Sequence, residues 1–276
     1  MKKTYWLFLF CIPLLSFVPM GVKPKVNPYK KLSGMADSIF KANRESVSFS
    51  YQSVADEYEI YQPKIAVMIG PLYTDSTKNA LLAYSTSDST VELKLFECVK
   101  GNWNLLQQFS MAAGYTGPSQ EFVWFANIDD TAPKELLILT EVFEIRSGVL
   151  LKAFSFHDKK LNEIRGFEQY PNPEYDEKTK KIYSYMGNGC ADMRMYFANG
   201  HIQDDSLVSD NEITCDCCPD ETGSLDSCEI FINNLKSFKI KCENAYEYVQ
   251  PYYQDFIKDK LIQAKQDNIE EMEYNK

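Results

Sequence analysis

The sequence predicts an all-β fold built from repeats of one four-stranded antiparallel unit and followed by a C-terminal helix. Three observations lead there. One plan recurs three times: Ala80-Leu81-Leu82 leading to Leu93-Lys94-Leu95-Phe96, Glu135-Leu136-Leu137 leading to Leu151-Lys152-Ala153-Phe154, and Lys181-Ile182-Tyr183 leading to Met193-Arg194-Met195-Tyr196. Shifting the first copy by 58 positions (151 − 93) also sets Trp103-Asn104 on Leu161-Asn162, Leu106 on Ile164 and Phe109 on Phe167. Between about positions 63 and 208, short runs of β-branched and aromatic residues alternate with Gly, Asn, Asp and Pro, the pattern of strands and turns.

Each full copy divides into four short strands. In the first they fall near residues 65–69, 80–85, 91–98 and 103–109, and in the second near 122–126, 135–142, 149–156 and 161–167. The third copy is shorter and lacks a convincing first strand. Lys100-Gly101-Asn102 is expected to close the outer hairpin of the first copy and Asn199-Gly200 that of the third, because these residues accept positive φ. Four antiparallel strands per unit describe a propeller blade. Two and a half blades do not close a ring, so closure needs strands from the flanks, with candidates at 46–51 and 229–241; an open or irregular array is the alternative.

The flanks have their own character. Lys2 and Lys3 followed by an apolar run from Tyr5 to Met20 form an export signal, expected over 1–21. Residues 22–61 are an adaptor with a short helix around 36–42, the repeat domain with its Cys-rich loop spans 62–242, and 243–276 form a charged helical tail. The expected location is therefore periplasmic or cell-surface, with no membrane span after signal cleavage. The formal charge is −10, and losing Lys2 and Lys3 makes it −12 (−10 − 2). Such a field disfavours nucleic acid and anionic lipid, and steers cationic partners inward.

Of eight cysteines, seven lie beyond Cys11, which in an exported chain points to disulfides. Cys190, Cys215, Cys217, Cys218, Cys228 and Cys242 are the disulfide candidates. Seven is odd, and Cys98, inside an alternating strand, is expected to stay unpaired. Cys215-x-x-Cys218 could also be a redox pair or half a zinc site, but zinc needs further ligands nearby and a thioredoxin-like pair needs a βαβ setting. His157 and His201 read as solvated turn residues, and no nucleophile elbow, HExxH or phosphate loop occurs.

Before the second strand of each copy sits an acidic loop, in the second copy Asn127-Ile128-Asp129-Asp130-Thr131-Ala132-Pro133-Lys134-Glu135. It resembles the calcium-holding loops of FG-GAP and VCBS-type propeller repeats. That resemblance implies a calcium site on Asn127, Asp129 and Glu135, although Thr131 replaces a carboxylate and Ala132 the turning glycine. Calcium takes six to eight oxygens, more than this loop supplies. An Asp also recurs six residues before each strand anchor, at Asp75, Asp130 and Asp176, which an Asx-turn explains equally well. No other cofactor is expected.

Asp176, Lys180-Lys181-Ile182-Tyr183-Ser184-Tyr185, Gly189-Cys190, Met195-Tyr196-Phe197 and Asn199-Gly200 resemble the last repeat of exported bacterial propeller-like proteins, some of which inhibit lysozyme-type hydrolases or confer immunity to them. The resemblance implies a non-catalytic binding protein with a cationic cell-wall hydrolase as partner. The alternatives are a glycan-acting enzyme, with carboxylates gathered from different blades, and a calcium-stabilised structural or adhesion module.

Overall fold

A computed structural model describes residues 28–53, 64–112, 122–129, 133–143, 148–187, 193–217 and 227–274, so the export signal expected over 1–21 lies outside the described residues. The described chain is mostly β, in three antiparallel sheets with a C-terminal helix. Each sheet is a meander in chain order. Sheet A holds β1 (Phe49–Gln52), β2 (Ile65–Gly70), β3 (Asn79–Ser87), β4 (Thr90–Val99) and β5 (Asn102–Ala112). Sheet B holds β6 (Val123–Ala126), β7 (Glu135–Phe143), β8 (Gly148–His157) and β9 (Lys160–Glu163). Sheet C holds β10 (Glu174–Asp176), β11 (Lys181–Gly187), β12 (Arg194–Gln203), β13 (Ser206–Asp216), β14 (Ser227–Ile232) and β15 (Lys236–Lys241). Helix α1 (Leu32–Asn43) precedes the sheets and α2 (Gln254–Tyr274) follows them. The flanking strands at 49–52 and 227–241 extend sheets A and C, and do not build a further sheet.

The 58-position offset holds in the strand pairing: Cys98 faces Trp103 as Phe156 faces Leu161. The third copy differs from its expected register. Its outer hairpin ends at Gln203 opposite Ser206, as the first ends at Val99 opposite Asn102, an offset of 104 (203 − 99) and not the 100 (193 − 93) that the sequence pattern suggested. The same 104 carries the β-bulge at Leu95/Phe96 onto that at Asn199/Gly200. Asn199-Gly200 is therefore not a turn but the middle of β12, and the turn is Asp204-Asp205, with φ of 49° and 50°. The third copy also has a first strand, the three-residue β10, which the sequence left unassigned. Lys100-Gly101 turns the first hairpin with φ of 50° and 81°, and Asp158-Lys159 the second with 52° and 61°, the left-handed pairs that match strand twist.

The sheets lie in a row. Because successive side chains leave opposite faces of a strand, membership of the three cores reads out the layers. In β3, Leu81 and Ala83 enter the central core, while Ala80, Leu82 and Tyr84 enter a second core under α1, with Leu32 and Ala36. In sheet C, Ile182 and Ala198 face the central core, while Tyr183, Met195, Phe197 and Ile230 face a third core closed by Ala245, Val249, Tyr253 and Ile257 of the C-terminal segment. Sheet B lies between, so Leu136, Leu137, Ile138 and Leu139 of β7 all join the central core. A strand buried on both faces reads as a continuous apolar run.

Side-chain amides join neighbouring sheets. Gln52 at the end of β1 donates to the Val123 carbonyl (2.6 Å) and accepts from the Phe122 and Val123 amides (3.2 and 3.3 Å). Gln107 of β5 accepts from the Leu161 amide (2.7 Å) and donates to its carbonyl (3.2 Å). Between B and C, Asn172 accepts from the Val149 amide and donates to the Tyr185 carbonyl, both at 2.9 Å. Each amide imitates one residue of a missing strand, satisfying part-buried main-chain groups that the sheets themselves leave unpaired.

Gly200 allows the close approach around the bulge: a Cβ there would meet the Val208 carbonyl oxygen at 2.4 Å and the Tyr170 hydroxyl at 3.0 Å. Gly200→Ala is expected to destabilise the chain by about 1–3 kcal/mol through this overpacking, lowering the urea midpoint without changing the slope. An unchanged midpoint would show that β13 yields freely.

Candidate functional site

Of the three expected calcium ligands, the structure brings two together. Glu135 opens β7 and is only 2% exposed, its Oε2 accepting the Ile128 amide at 2.9 Å. Asp129 hydrogen-bonds the Glu135 carboxyl. Burial pushes Glu135 up to about 7, and the Asp129 charge adds to the rise against the Ile128 bond. Two carboxyls at hydrogen-bonding range cannot both ionise cheaply, so a shared proton is the low-cost occupant. Asn127 is exposed, and Asp130, Thr131 and Ala132 lie outside the described residues. Across the seam, the buried hydroxyl of Tyr175 on β10 has no hydrogen-bond partner among the described residues; burial raises it, and the charges of Asp129 and Glu135 contribute. In the sequence Tyr175 is one of many aromatics, and its place beside this loop depends on sheet C packing next to sheet B. Asp176 forms the Asx-turn, accepting from the Lys178 and Thr179 amides and the Thr179 hydroxyl.

The cysteines divide. Cys98 is a free, half-buried thiol. Cys215, a disulfide candidate by sequence, is a free buried thiol on β13, pushed up to about 12 by burial. Its side chain lies in the core between sheet C and the C-terminal segment, and Cys218, the other half of the C-x-x-C pair, lies outside the described residues. Cys217, Cys228 and Cys242 meet in that same core, their sulfurs all within 4.8 Å of one another. Cys228 contacts both others at bonding range. Cys190 and Cys218 lie outside the described residues.

Neither histidine is a turn residue. His157 ends β8, beside the Asp158-Lys159 turn, with Nε2 3.4 Å from Asp205. His201 lies inside β12, its Nδ1 3.0 Å from Asp210, which also pairs with Lys181 at 2.8 Å. Burial alone would raise Asp210, but Lys181 and His201 outweigh it and hold the carboxyl below its ordinary range. Asp210 is the extra residue of the β12/β13 bulge, which explains how one carboxylate reaches both partners.

The C-terminal segment presents Tyr252 (44% exposed) and Phe256 (47%) beside β11, while the exposed Tyr248 packs on Phe238 of β15. Tyr252 stacks on Tyr183 of β11 (4.4 Å, 11°), and Phe256 meets Tyr185 edge-on (5.0 Å, 77°). The Tyr252 hydroxyl donates to Glu174 at 2.7 Å, a bond that, with burial, pushes the phenol up to about 12. Lys260 donates to the Tyr185 hydroxyl at 2.9 Å, and Asp255 and Asp259 lie exposed alongside on α2. Tyr246, Tyr248, Tyr252 and Tyr253 stand close together in the sequence, but spacing does not say which of these rings face solvent. Tyr170, Tyr183 and Tyr253 are buried packing.

Neither a protein-family description nor a curated protein matches the chain. A solved structure described as "Structure of a Xanthomonas Type IV Secretion System related protein" is similar at 9% identity and a TM-score of 0.39, covering 70% of this chain and 99% of its own. A similarity of that size carries no argument about fold or function. Among the described residues, no helix is long and apolar enough to cross a membrane.

Glu135 gives stability a pH dependence of definite sign. Between its ordinary 4.5 and about 7 the native chain binds more protons than the unfolded one, so this group's contribution is full below 4.5, falls as pH rises, and is lost above about 7. The shift corresponds to a loss on the order of 3 kcal/mol. Glu135→Gln, which keeps an acceptor for Ile128 and can donate to Asp129, is expected to flatten that fall and be the more stable form at pH 8, measured by urea denaturation across pH. A variant whose pH profile still parallels that of the parent would contradict the assignment.

Proposed function

We propose that this chain is an exported, non-catalytic binding protein whose partner is a cationic protein of the cell-wall hydrolase class. The observation that carries the reading is the pair of exposed rings Tyr252 and Phe256, packed on Tyr183 and Tyr185 of β11, with Glu174 bonded to Tyr252 and Asp255 and Asp259 exposed on the same helix. Rings held by a fixed backing offer contact area at small entropic cost, and such anchors dominate binding energy at interfaces. The formal charge of −10 supplies steering toward a basic surface. The disulfide-capable cysteines support an oxidising destination, periplasmic or cell-surface. The likeness of the third repeat to exported inhibitor and immunity proteins supports the hydrolase class. In this reading the three sheets are blades of an open propeller-like array, with the contact surface on its C-terminal end.

A second reading, a calcium-stabilised module, draws on Asp129 and Glu135, where a divalent cation would replace the shared proton. The two readings separate cleanly: calcium would raise the melting temperature at pH 8 and a chelator reverse it, whereas a binding protein of the first kind is indifferent to both.

Titration of the oxidised chain with a basic lysozyme-type hydrolase tests the first reading. Binding is expected to weaken steeply with salt, and Tyr252→Ala or Phe256→Ala to lower affinity about 30-fold, the size of a ~2 kcal/mol anchor. Affinity untouched by either substitution, or retention independent of salt, would contradict it.

A further inference from the structure

Two tyrosines of this chain are bonded alike. Tyr84 of β3 donates its hydroxyl to Glu92, its direct partner on β4. Lys94 lies over the Tyr84 ring, 5.3 Å from the centroid, with its Nζ 4.0 Å from the Glu92 carboxylate. The cation there meets a π face and a full negative charge together, and the two attractions add. At the C-terminal cap, Tyr252 donates its hydroxyl to Glu174 at 2.7 Å, which repeats the first half of that arrangement. Among the described residues, lysines lie over the rings of Phe122, Trp103, Tyr84, Phe238, Tyr246 and Tyr185, and Tyr252 is not one of them.

The fold explains why this ring faces outward. Glu174 of β10 stands directly opposite Tyr183 of β11, so their side chains leave the same side of sheet C. Tyr252 stacks on Tyr183 at 4.4 Å and 11°, which covers one face of its ring and sets its hydroxyl at the Glu174 carboxylate. Its 44% exposure therefore belongs mainly to the opposite face. Glu174 is itself exposed, and the phenol engages only its Oε2. Asp176, two residues along β10, leaves the same side of the sheet, and its charge acts on the Tyr252 phenol. The neighbouring lysines are engaged elsewhere: Lys181 holds Asp210, and Lys260 holds the Tyr185 hydroxyl.

We propose that the outer face of Tyr252 and the Glu174 carboxylate bind one arginine side chain of the cationic partner, an inference that rests on the reading of the partner given above. Arginine fits this site better than lysine. Its guanidinium is flat, so it lies parallel on an exposed ring while its N–H groups fork to a carboxylate at the ring's edge, and it sheds water more readily than an ammonium does. Lys94 needs neither property, because the chain itself holds it over Tyr84 and no cost of association arises. A partner side chain does bear that cost, and a rigid ring already bonded to its carboxylate keeps the cost small.

The site is tested by titrating the full oxidised chain with tetra-arginine amide, tetra-lysine amide and a basic lysozyme-type hydrolase. The two peptides carry equal charge, so a difference between them reports the guanidinium. Tetra-arginine is expected to bind about 3-fold more tightly, with its δ-methylene protons shifted upfield by the Tyr252 ring current, and Tyr252→Ala to abolish both effects. Glu174→Gln keeps an acceptor for the phenol, and with it the cap, so the melting temperature should hold while arginine affinity falls about 5-fold. Glu45→Gln, which removes one exposed charge beyond α1, should leave the preference for arginine intact. Equal affinity for the two peptides, or a preference that survives both Tyr252→Ala and Glu174→Gln, would overturn the site even if the hydrolase binds. A hydrolase that fails to bind, while the arginine preference stands and depends on both residues, would support the site and overturn the hydrolase class of the partner.

Discussion

A row of three sheets has two outer faces, and in this chain both are apolar. In sheet A the outer face carries Ile65, Val67, Ile69 and Leu82, and in sheet C it carries Met195, Phe197, Ile213 and Ile230. Left in water, each large side chain would forfeit about 1.5–3 kcal/mol of burial. The chain covers the first face with α1 and the second with the segment from Cys242 to Ile257. Terminal repeats of an array need such caps because they lack one neighbour. The flanking segments are thus part of the architecture, and the candidate contact surface is the solvent side of the second cap.

Within the row, the seams are held by a device other than a shared strand. Gln52 and Gln107 each reach from sheet A to main-chain groups of sheet B, and Asn172, between β9 and β10, bridges main-chain groups of sheets B and C. Charged contacts at the outer hairpins add to this, with Lys159 reaching Glu97 at 2.8 Å and the Ser155 hydroxyl reaching Asp205 at 2.5 Å. The latter are exposed or half-exposed and contribute little to stability, so the amides and the continuous central core carry the joining. The Asp129, Glu135 and Tyr175 cluster lies on the B/C seam, where the packing of two sheets brings acidic and phenolic groups out of water together.

Much of this was legible in the sequence, for reasons the residues make plain. The first two copies share their hairpin length, so the match of Trp103 to Leu161 and Leu106 to Ile164 reports true equivalence. The third copy misled because strand patterns repeat every two residues: a four-residue error keeps every apolar side chain on its proper face. Asn199-Gly200 is the stronger turn signal by composition, but that glycine is needed for the approach of Val208 and Tyr170, while Asp204-Asp205 makes the turn. The cysteine-rich segment announced disulfides, yet spacing could not show that Cys215 stays a thiol while Cys217, Cys228 and Cys242 meet in one core. Glu135 was readable as a loop ligand, but not as a buried carboxyl beside Asp129, since burial belongs to the packed sheets.

The cap on sheet C carries the proposed contact surface, because it holds Tyr252 and Phe256 in place against Tyr183 and Tyr185. The most direct test is native-state hydrogen exchange on the oxidised full chain at increasing denaturant. If the segment is an integral cap, the amides of Tyr253, which donates to the Gln250 carbonyl, and of Ile257 will exchange through the same opening as those of Phe197 and Ile230. Exchange of Tyr253 and Ile257 through a separate, low-energy opening, with the sheet still protected, would contradict the account and reduce the segment to an appendage.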